Sequence, residues 1–392
     1  MKSGSFPSTL GAAIRHEWLL DPSKLTVNHG AYGATPKVVL AAQDEWRRRM
    51  EAQPSLFMRQ TLPPALRAAA DGLARFVGAE GRDLVFVDNA TTGCNAVLRS
   101  LDFVRGDEIL ILSHAYGAVR NTVRYLADRH GLKIVEAKVE FPQPDADQIV
   151  AAVADALTER TRIAVLDHIT SSSAIVMPIA RLVALCREAG VPVLVDGAHG
   201  PAQVDLDLTA LDADWYVGNC HKWLMAPKGC AFLWSRRDRQ TEIHPLTISH
   251  GFGRGYIEEF DWTGTRDPSA FLAVEAALAF HETLGGASLR ERNKTLAQRG
   301  AGILASALGT TIGARPEYSG AMQLVRLPII GPATPERALA ARHELEIRGC
   351  DAPVSAVDGG FWLRLSAQAY NEEADYERLA TIVASFCRAP PR

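Results

Sequence analysis

From Asp83 to Asp196 the chain alternates short, nearly unbroken apolar runs with longer stretches whose apolar positions recur every three or four residues. The runs are "DLVFV" (83–87), "DEILIL" (107–112), "KIVEAKV" (133–139), "RIAVLDHI" (162–169) and "VPVLVD" (191–196). The stretches beside them predict helices over 93–104, 117–129, 145–159 and 178–190. Strands that are apolar on both faces and separated by helices indicate an α/β fold with a mostly parallel sheet covered on both sides. In such sheets ligands bind beyond the carboxyl ends of the strands. After Arg266 the pattern changes to two long helical stretches, "PSAFLAVEAALAFHETLG" and "SLRERNKTLAQRGAGILASALG". Shorter strands, "MQLVRLPI" and "FWLRLS", and a last helix over 373–386 follow. At 392 residues the chain exceeds the usual size of one hydrophobic core. The change of pattern predicts a large domain over 31–266 and a smaller α+β domain over 267–392, with residues 1–30 packing against the smaller one.

Composition narrows the field. A net charge of −3 leaves no electrostatic footprint for nucleic acid or an anionic membrane, so neither is expected as a partner. The longest apolar run, "SAFLAVEAALAF", is too short to span a bilayer and contains Glu275. The N-terminal "MKSGSFPSTLGAAIRHEW" lacks the apolar core of a signal peptide. Cysteines at 94, 186, 220, 230, 350 and 387 show no CxxC and no regular spacing. That pattern reads as reduced thiols in a cytoplasmic protein.

Candidate chemistry gathers where the predicted strands end. "GNCHKWLMAPKGCAFLW" sets Lys222 between a histidine and a tryptophan in an otherwise apolar stretch. The lysine either snorkels to water, joins a Cys/His metal site, or is a reactive amine. Cys220 and His221 are adjacent, so their side chains diverge, and no second pair lies nearby; no metal is expected. "GFGRG" at Gly251 matches neither dinucleotide-binding nor phosphate-loop spacing. Asp196 closes "VPVLVD", with His199 three residues on; such an acid needs a protonated partner, or it caps the next turn. In "DNATTGCNAVLRSL", Thr91, Thr92 and Gly93 offer an anion site at a helix N-terminus, or ordinary threonine caps. "LDHITSSSAIVMP" reads only as a polar loop. Together, an acid, an amine and an anion cradle at the strand ends of one sheet are the parts that hold pyridoxal 5'-phosphate. The amine takes the aldehyde, the acid keeps the pyridine nitrogen protonated, and the helix terminus takes the phosphate.

"VDGAHGPAQVDLDLTALDADWYVGNCHKWLMAPKGCAFLW" resembles the cofactor-lysine region of class V aminotransferase-fold enzymes, the fold type I pyridoxal phosphate enzymes. The resemblance runs from about Leu25 to Tyr370. "NHGAYGATP" and "HAYGAVRN" point to the isopenicillin N epimerase-like branch, which also holds carbon–sulfur lyases and is related to cysteine desulfurases. The resemblance implies that Lys222 is the Schiff-base lysine and the acid/base at the substrate Cα. It implies that Asp196 pairs with the pyridine nitrogen and that His199, also catalytic, lies near the ring hydroxyl or the Schiff base. Thr91, Thr92, Gly93, Asn219 and His221 would hold the phosphate, and Tyr116 would stack on the cofactor, although a lone tyrosine also serves as core packing. Ser171 stands where desulfurases of this fold use asparagine, a departure that leaves its role open. Gly264 and Thr265 in "FDWTGTRDPSA" would reach the neighbouring subunit's phosphate, which implies an obligate homodimer with shared sites. Arg364, in the alternating strand "GGFWLRLSAQAYN", would grip the α-carboxylate of an amino-acid substrate. Asn28, His29 and Tyr32 would line the substrate side.

The reaction is less constrained. Loss of the Cα proton leads to reprotonation on the opposite face (epimerase), expulsion of a β-substituent (carbon–sulfur lyase or desulfurase), or transamination. Epimerisation, the main expectation, needs an acid on each face, with His29, Tyr32 or a water opposite Lys222. A desulfurase needs a mobile nucleophilic cysteine; Cys350 in "EIRGCDAPV" lies near the expected place, but its flanks read as a buried, inert thiol. A binding protein that senses the cofactor without turnover is the alternative from another class.

Overall fold

The structure, a computed structural model, describes residues 10–388, so residues 1–9 of the expected N-terminal segment lie outside the described residues. Seven strands form the large sheet: β1 (Leu84–Val87), β2 (Glu108–Leu112), β3 (Lys133–Ala137), β4 (Thr161–Asp167), β5 (Val193–Asp196), β6 (Trp215–Asn219) and β7 (Ala231–Ser235). Their spatial order is β1-β7-β6-β5-β4-β2-β3, and only β7 runs antiparallel to its neighbours. The inner strands are almost wholly buried, which is why they read as unbroken apolar runs. At the edge, β3 exposes Lys133, Ile134 and Glu136 and carries charge, a usual guard against stray strand pairing. β6 and β7 were not evident in the apolar pattern: "WYVGN" and "AFLWS" are short and end in polar residues.

Register decides what meets at the carboxyl edge. Asp167 at the end of β4 lies opposite Asp196 at the end of β5, and Asp196 lies opposite Val217 of β6. Asn219 ends β6 opposite Ala231, the first residue of β7, so the connection 220–230 that carries Lys222 lies at this same edge. Helix α1 (Ala90–Ser100) follows β1 and starts three residues earlier than expected. Its cap is Asn89, whose Oδ1 accepts from Thr92 N at 2.9 Å, and not Thr91 or Thr92. Gly93 lies inside the helix, and a Cβ there would stand 2.7 Å from Val217; the glycine lets α1 seat closely on β6.

A second, antiparallel sheet holds β8 (Met322–Arg326), β9 (Val354–Val357) and β10 (Gly360–Ser366), with β10 in the middle. The alternation along β10 separates two surfaces. Phe361, Leu363 and Leu365 enter the smaller core with Leu304 and Leu379, whereas Trp362 joins the larger core, edge-on to Phe141 at 4.8 Å between centroids. Helices Ser269–Leu272 and Val274–Thr283, one helix in the expected pattern, bury Phe271, Leu272, Val274 and Phe280 in the larger core. The N-terminal part straddles both: Ile14 and Trp18 join the larger core, Leu25 and Val27 the smaller. Leu25–Thr26 pairs in parallel with Cys350–Asp351. Among the described residues no helix is long and apolar enough to cross a membrane.

Candidate active site

Lys222 projects from the β6–β7 connection, a tight structure in which Cys220 N and His221 N both donate to Cys230 O, and Met225 N donates to Lys222 O. Gly33, with φ +69°, lies beneath it; a Cβ there would overlap His221 O. His29 Nε2 donates to Lys222 O at 2.9 Å, and Tyr370 Oη bonds its Nδ1 at 2.9 Å. His29 is thus buried with both ring nitrogens engaged and lies outside the cavity, where it anchors the lysine's main chain; it is not placed as a substrate contact or a second-face acid.

The Lys222 amine opens into a cavity of about 480 Å³ at the carboxyl edge of the large sheet. The lysine is only 9% exposed. Burial, then the nearby Arg364 charge, brings its pKa from 10.5 down to about 7, with Asp196 opposing. His199 Nε2 lies 3.0 Å from Lys222 Nζ, and burial followed by the Lys222 charge holds the imidazole well below its ordinary pKa, hence neutral. The site thus brings Lys222 from an ammonium to an even balance of amine and ammonium near neutral pH.

Beneath these groups Asp167 and Asp196 end neighbouring strands, and both line the cavity. Burial and the Asp196 charge push the Asp167 carboxyl well above the usual range, so Asp167 carries the proton. Burial also raises Asp196, but Ala198 N donates to its Oδ1 at 3.0 Å and the Lys222 charge favours its ionised form. The turn-capping contact and a buried site acid are therefore the same residue. Asp167 was not singled out in the sequence. It lies inside the apolar run "RIAVLDHI", and only the end of β4 at that residue marks it as an edge group.

The start of α1, the expected anion site, borders the cavity. Thr91 lines the cavity beside Asn89 and Ala90, Asn219 Oδ1 accepts from Ala90 N at 2.9 Å, and the His221 ring also lines it. Thr92 and Gly93 face elsewhere: the Thr92 hydroxyl donates to Asn89 Oδ1 at 3.3 Å, and Gly93 packs on β6. Ser171 and Tyr116 also line the cavity, with Tyr32 at its mouth. Arg364 comes from β10 and is buried; its Nη1 donates to Ser171 O at 2.6 Å and its Nη2 to Asn28 Oδ1 at 3.2 Å. Asn28 Nδ2 in turn donates to Asp351 Oδ1 at 2.9 Å; neither Asn28 nor Arg364 lines the cavity itself, and Arg364 meets its wall through Ser171, which does. Gly264 and Thr265 do not line this chain's cavity either, and Thr265 is exposed. Arg266 beside them bonds Asp88 of the cavity rim at 3.0 Å. Cys350 is 1% exposed, and burial together with Asp351 pushes its thiol up to about 12, the state of an inert cysteine.

A family model described as aminotransferase class V matches residues 29–379. The chain belongs to that family, and the protein is an enzyme. It is 36% identical to a putative L-cysteine desulfhydrase of Oryza sativa subsp. japonica, over 91% of this chain and 82% of that protein. It is 34% identical to the isopenicillin N epimerase of Amycolatopsis lactamdurans, over 95% of this chain and 98% of that one. Among solved structures, a cystine C-S lyase in complex with its product cysteine persulfide matches with a TM-score of 0.79 and 26% identity, covering 93% of this chain and 98% of that one.

Proposed function

We propose that the protein is a pyridoxal 5'-phosphate enzyme that removes the Cα proton of an amino acid, with Lys222 as the base. The observation that carries this is the pairing of a buried amine, its pKa lowered to about 7, with His199 at 3.0 Å, at a cavity that Asp196 and the start of a helix also line. The residues fit the cofactor by their chemistry: Lys222 for the aldehyde, Asp196 for the ring nitrogen, and Thr91, Asn219 and His221 at the phosphate end. When bound, pyridoxal phosphate supplies an electron sink that stabilises negative charge at the substrate Cα. Arg364, buried behind Ser171 of the cavity wall, is the cation assigned to the substrate carboxylate; Ser171 and Asn28 hold its two terminal nitrogens, and a substrate would have to take over the Ser171 contact. Lys222 then takes the proton, and its surroundings lower the amine's pKa for that purpose.

β-Elimination from a sulfur-containing amino acid is the first reading: the 36% identity to a putative L-cysteine desulfhydrase supports it, and the one base it needs is Lys222. The inert setting of Cys350 disfavours a persulfide route and leaves direct elimination. Epimerisation is the second reading, supported by the match with an epimerase along nearly its whole length. It assigns the opposite face to Tyr32 or Tyr116, the exposed phenols at the cavity. Proton NMR with pyridoxal phosphate and a panel of amino acids in D₂O separates the readings. A keto acid with ammonia and a thiol or sulfide means elimination; Cα exchange with inversion means epimerisation. If no candidate exchanges its Cα proton while amino acids still perturb the cofactor's spectrum, the proton-transfer reading fails and a binding role replaces it.

We further propose a homodimer in the cytoplasm. The Gly264–Thr265 loop stands next to the cavity rim without lining its own cavity, and Thr265 is exposed, as expected of a loop that serves a neighbour; all six cysteines are free. Sedimentation of the purified protein tests the first point; a monomer with full activity would contradict it.

A further inference from the structure

Trp223 follows Lys222 in the chain, and its ring is 1% exposed. Its Nε1–H donates to His199 Nδ1 at 3.3 Å. An indole nitrogen only donates, so His199 Nδ1 must be the accepting, proton-free nitrogen. A neutral imidazole with a bare Nδ1 carries its proton on Nε2. That Nε2 faces Lys222 Nζ at 3.0 Å. The contact is a hydrogen bond only if Nζ offers a lone pair, that is, as a neutral amine.

We propose that Trp223 is a positioning residue that fixes His199 as its Nε2–H tautomer, so that one N–H donor points at the Lys222 amine and at the cofactor atoms bound beside it. The last clause rests on the pyridoxal phosphate reading; the tautomer does not. The opposite tautomer would set an imidazole N–H against the indole N–H and turn a lone pair toward Nζ, which favours the ammonium. The choice of tautomer is thus also a choice of protonation state for Lys222. It acts alongside the charges that face the amine: Arg364 disfavours the ammonium and Asp196 favours it, while His221, lowered to about 4 by burial and the Lys222 charge, is itself uncharged. The indole has little freedom to leave. A Cβ at Gly30 would stand 3.0 Å from its Cζ2, and the His29 ring lies 5.4 Å away between centroids. The backbone of His199 is held as well, since Gln203 Nε2 donates to its carbonyl at 2.8 Å. Tyrosine's hydroxyl can accept as well as donate, whereas the tryptophan N–H only donates and so admits one tautomer.

The test starts on the full chain freed of cofactor and labelled with ¹⁵N-histidine, with His199→Gln assigning the signals. The expected result at pH 8 is a protonated Nε2 and a bare Nδ1 on His199. A protonated Nδ1 in the wild-type protein overturns the proposal and leaves the pyridoxal phosphate reading intact. Trp223→Phe then removes the donor while keeping an aromatic ring. The apparent pKa of Lys222, read from the pH dependence of its labelling by a small aldehyde with cyanoborohydride, is expected to rise by about one unit. In a His199→Gln background the same substitution should leave it unchanged. With pyridoxal phosphate bound, the pH at which the visible band titrates should follow the same pattern. An unchanged Lys222 pKa, or an equal shift in both backgrounds, means packing alone and overturns the proposal. If Trp223→Phe does not fold, the wild-type tautomer alone decides.

Discussion

The floor and the mouth of the cavity are built by different means. At the floor, Asp196, His199 and Lys222 stand at or just past the ends of β5 and β6, and all three are buried. At the mouth, Tyr32 and Tyr116 are 69% and 44% exposed, and neither has its hydroxyl held by a bond described above. Burial does chemical work at the floor: it lowers a lysine's pKa to about 7 and lets one of two carboxyls keep its proton. Water at the mouth levels such differences. On the proposed reading the floor would hold the cofactor and carry the proton step, and the mouth would choose the substrate and the outcome. Changes to Asp196 or Lys222 should cost orders of magnitude in rate, the already neutral Asp167 being the exception, and changes above should act mainly on KM.

The largest effect is expected from Lys222→Ala, which should lower Cα-proton exchange by about 10²–10⁴-fold in the D₂O assay. The wild-type amine also predicts a pH signature. Covalent uptake of pyridoxal phosphate by the cofactor-free protein needs the neutral amine, so its rate rises with pH below about 7 and levels off above. An exposed lysine would keep gaining up to about 10.5. Next, Asp196→Asn should reduce kcat by about 10²-fold through loss of a fixed charge. Asp167→Asn should barely change it, because an amide replaces an acid that is already neutral. The reverse ranking in steady-state kinetics would mean that the two carboxyls exchange roles. Arg364→Lys gives up the two-pronged grip and should raise KM by about 10–100-fold with a smaller loss in kcat. Smallest of all, Cys350→Ala should leave sulfide release from cysteine unchanged; its abolition would restore the persulfide route.

Much of the floor was legible because its parts are punctuation between elements. Asp196 ends an apolar run, and Lys222 is the cation that an apolar stretch does not need. What escaped depended on where elements stop. Asp167 reads as strand interior until β4 is seen to end there, and Asn89 takes the cap that two threonines seemed to fill. The roles of Trp223, His29 and Asn28 are partnerships across long stretches of chain, which no local pattern encodes: indole to His199, imidazole to the Lys222 carbonyl, and amide to Arg364. The domain division expected near 266 we now propose to draw within Ala287–Leu308. Leu289 of that helix joins the larger core, and Leu296 and Leu304 join the smaller.

The most direct test of the account is reduction of the pyridoxal phosphate-loaded protein with borohydride, followed by peptide mapping. The account predicts one modified site, Lys222, with Lys228 and the exposed lysines untouched. Cofactor reduced onto another lysine, or onto none, would contradict it.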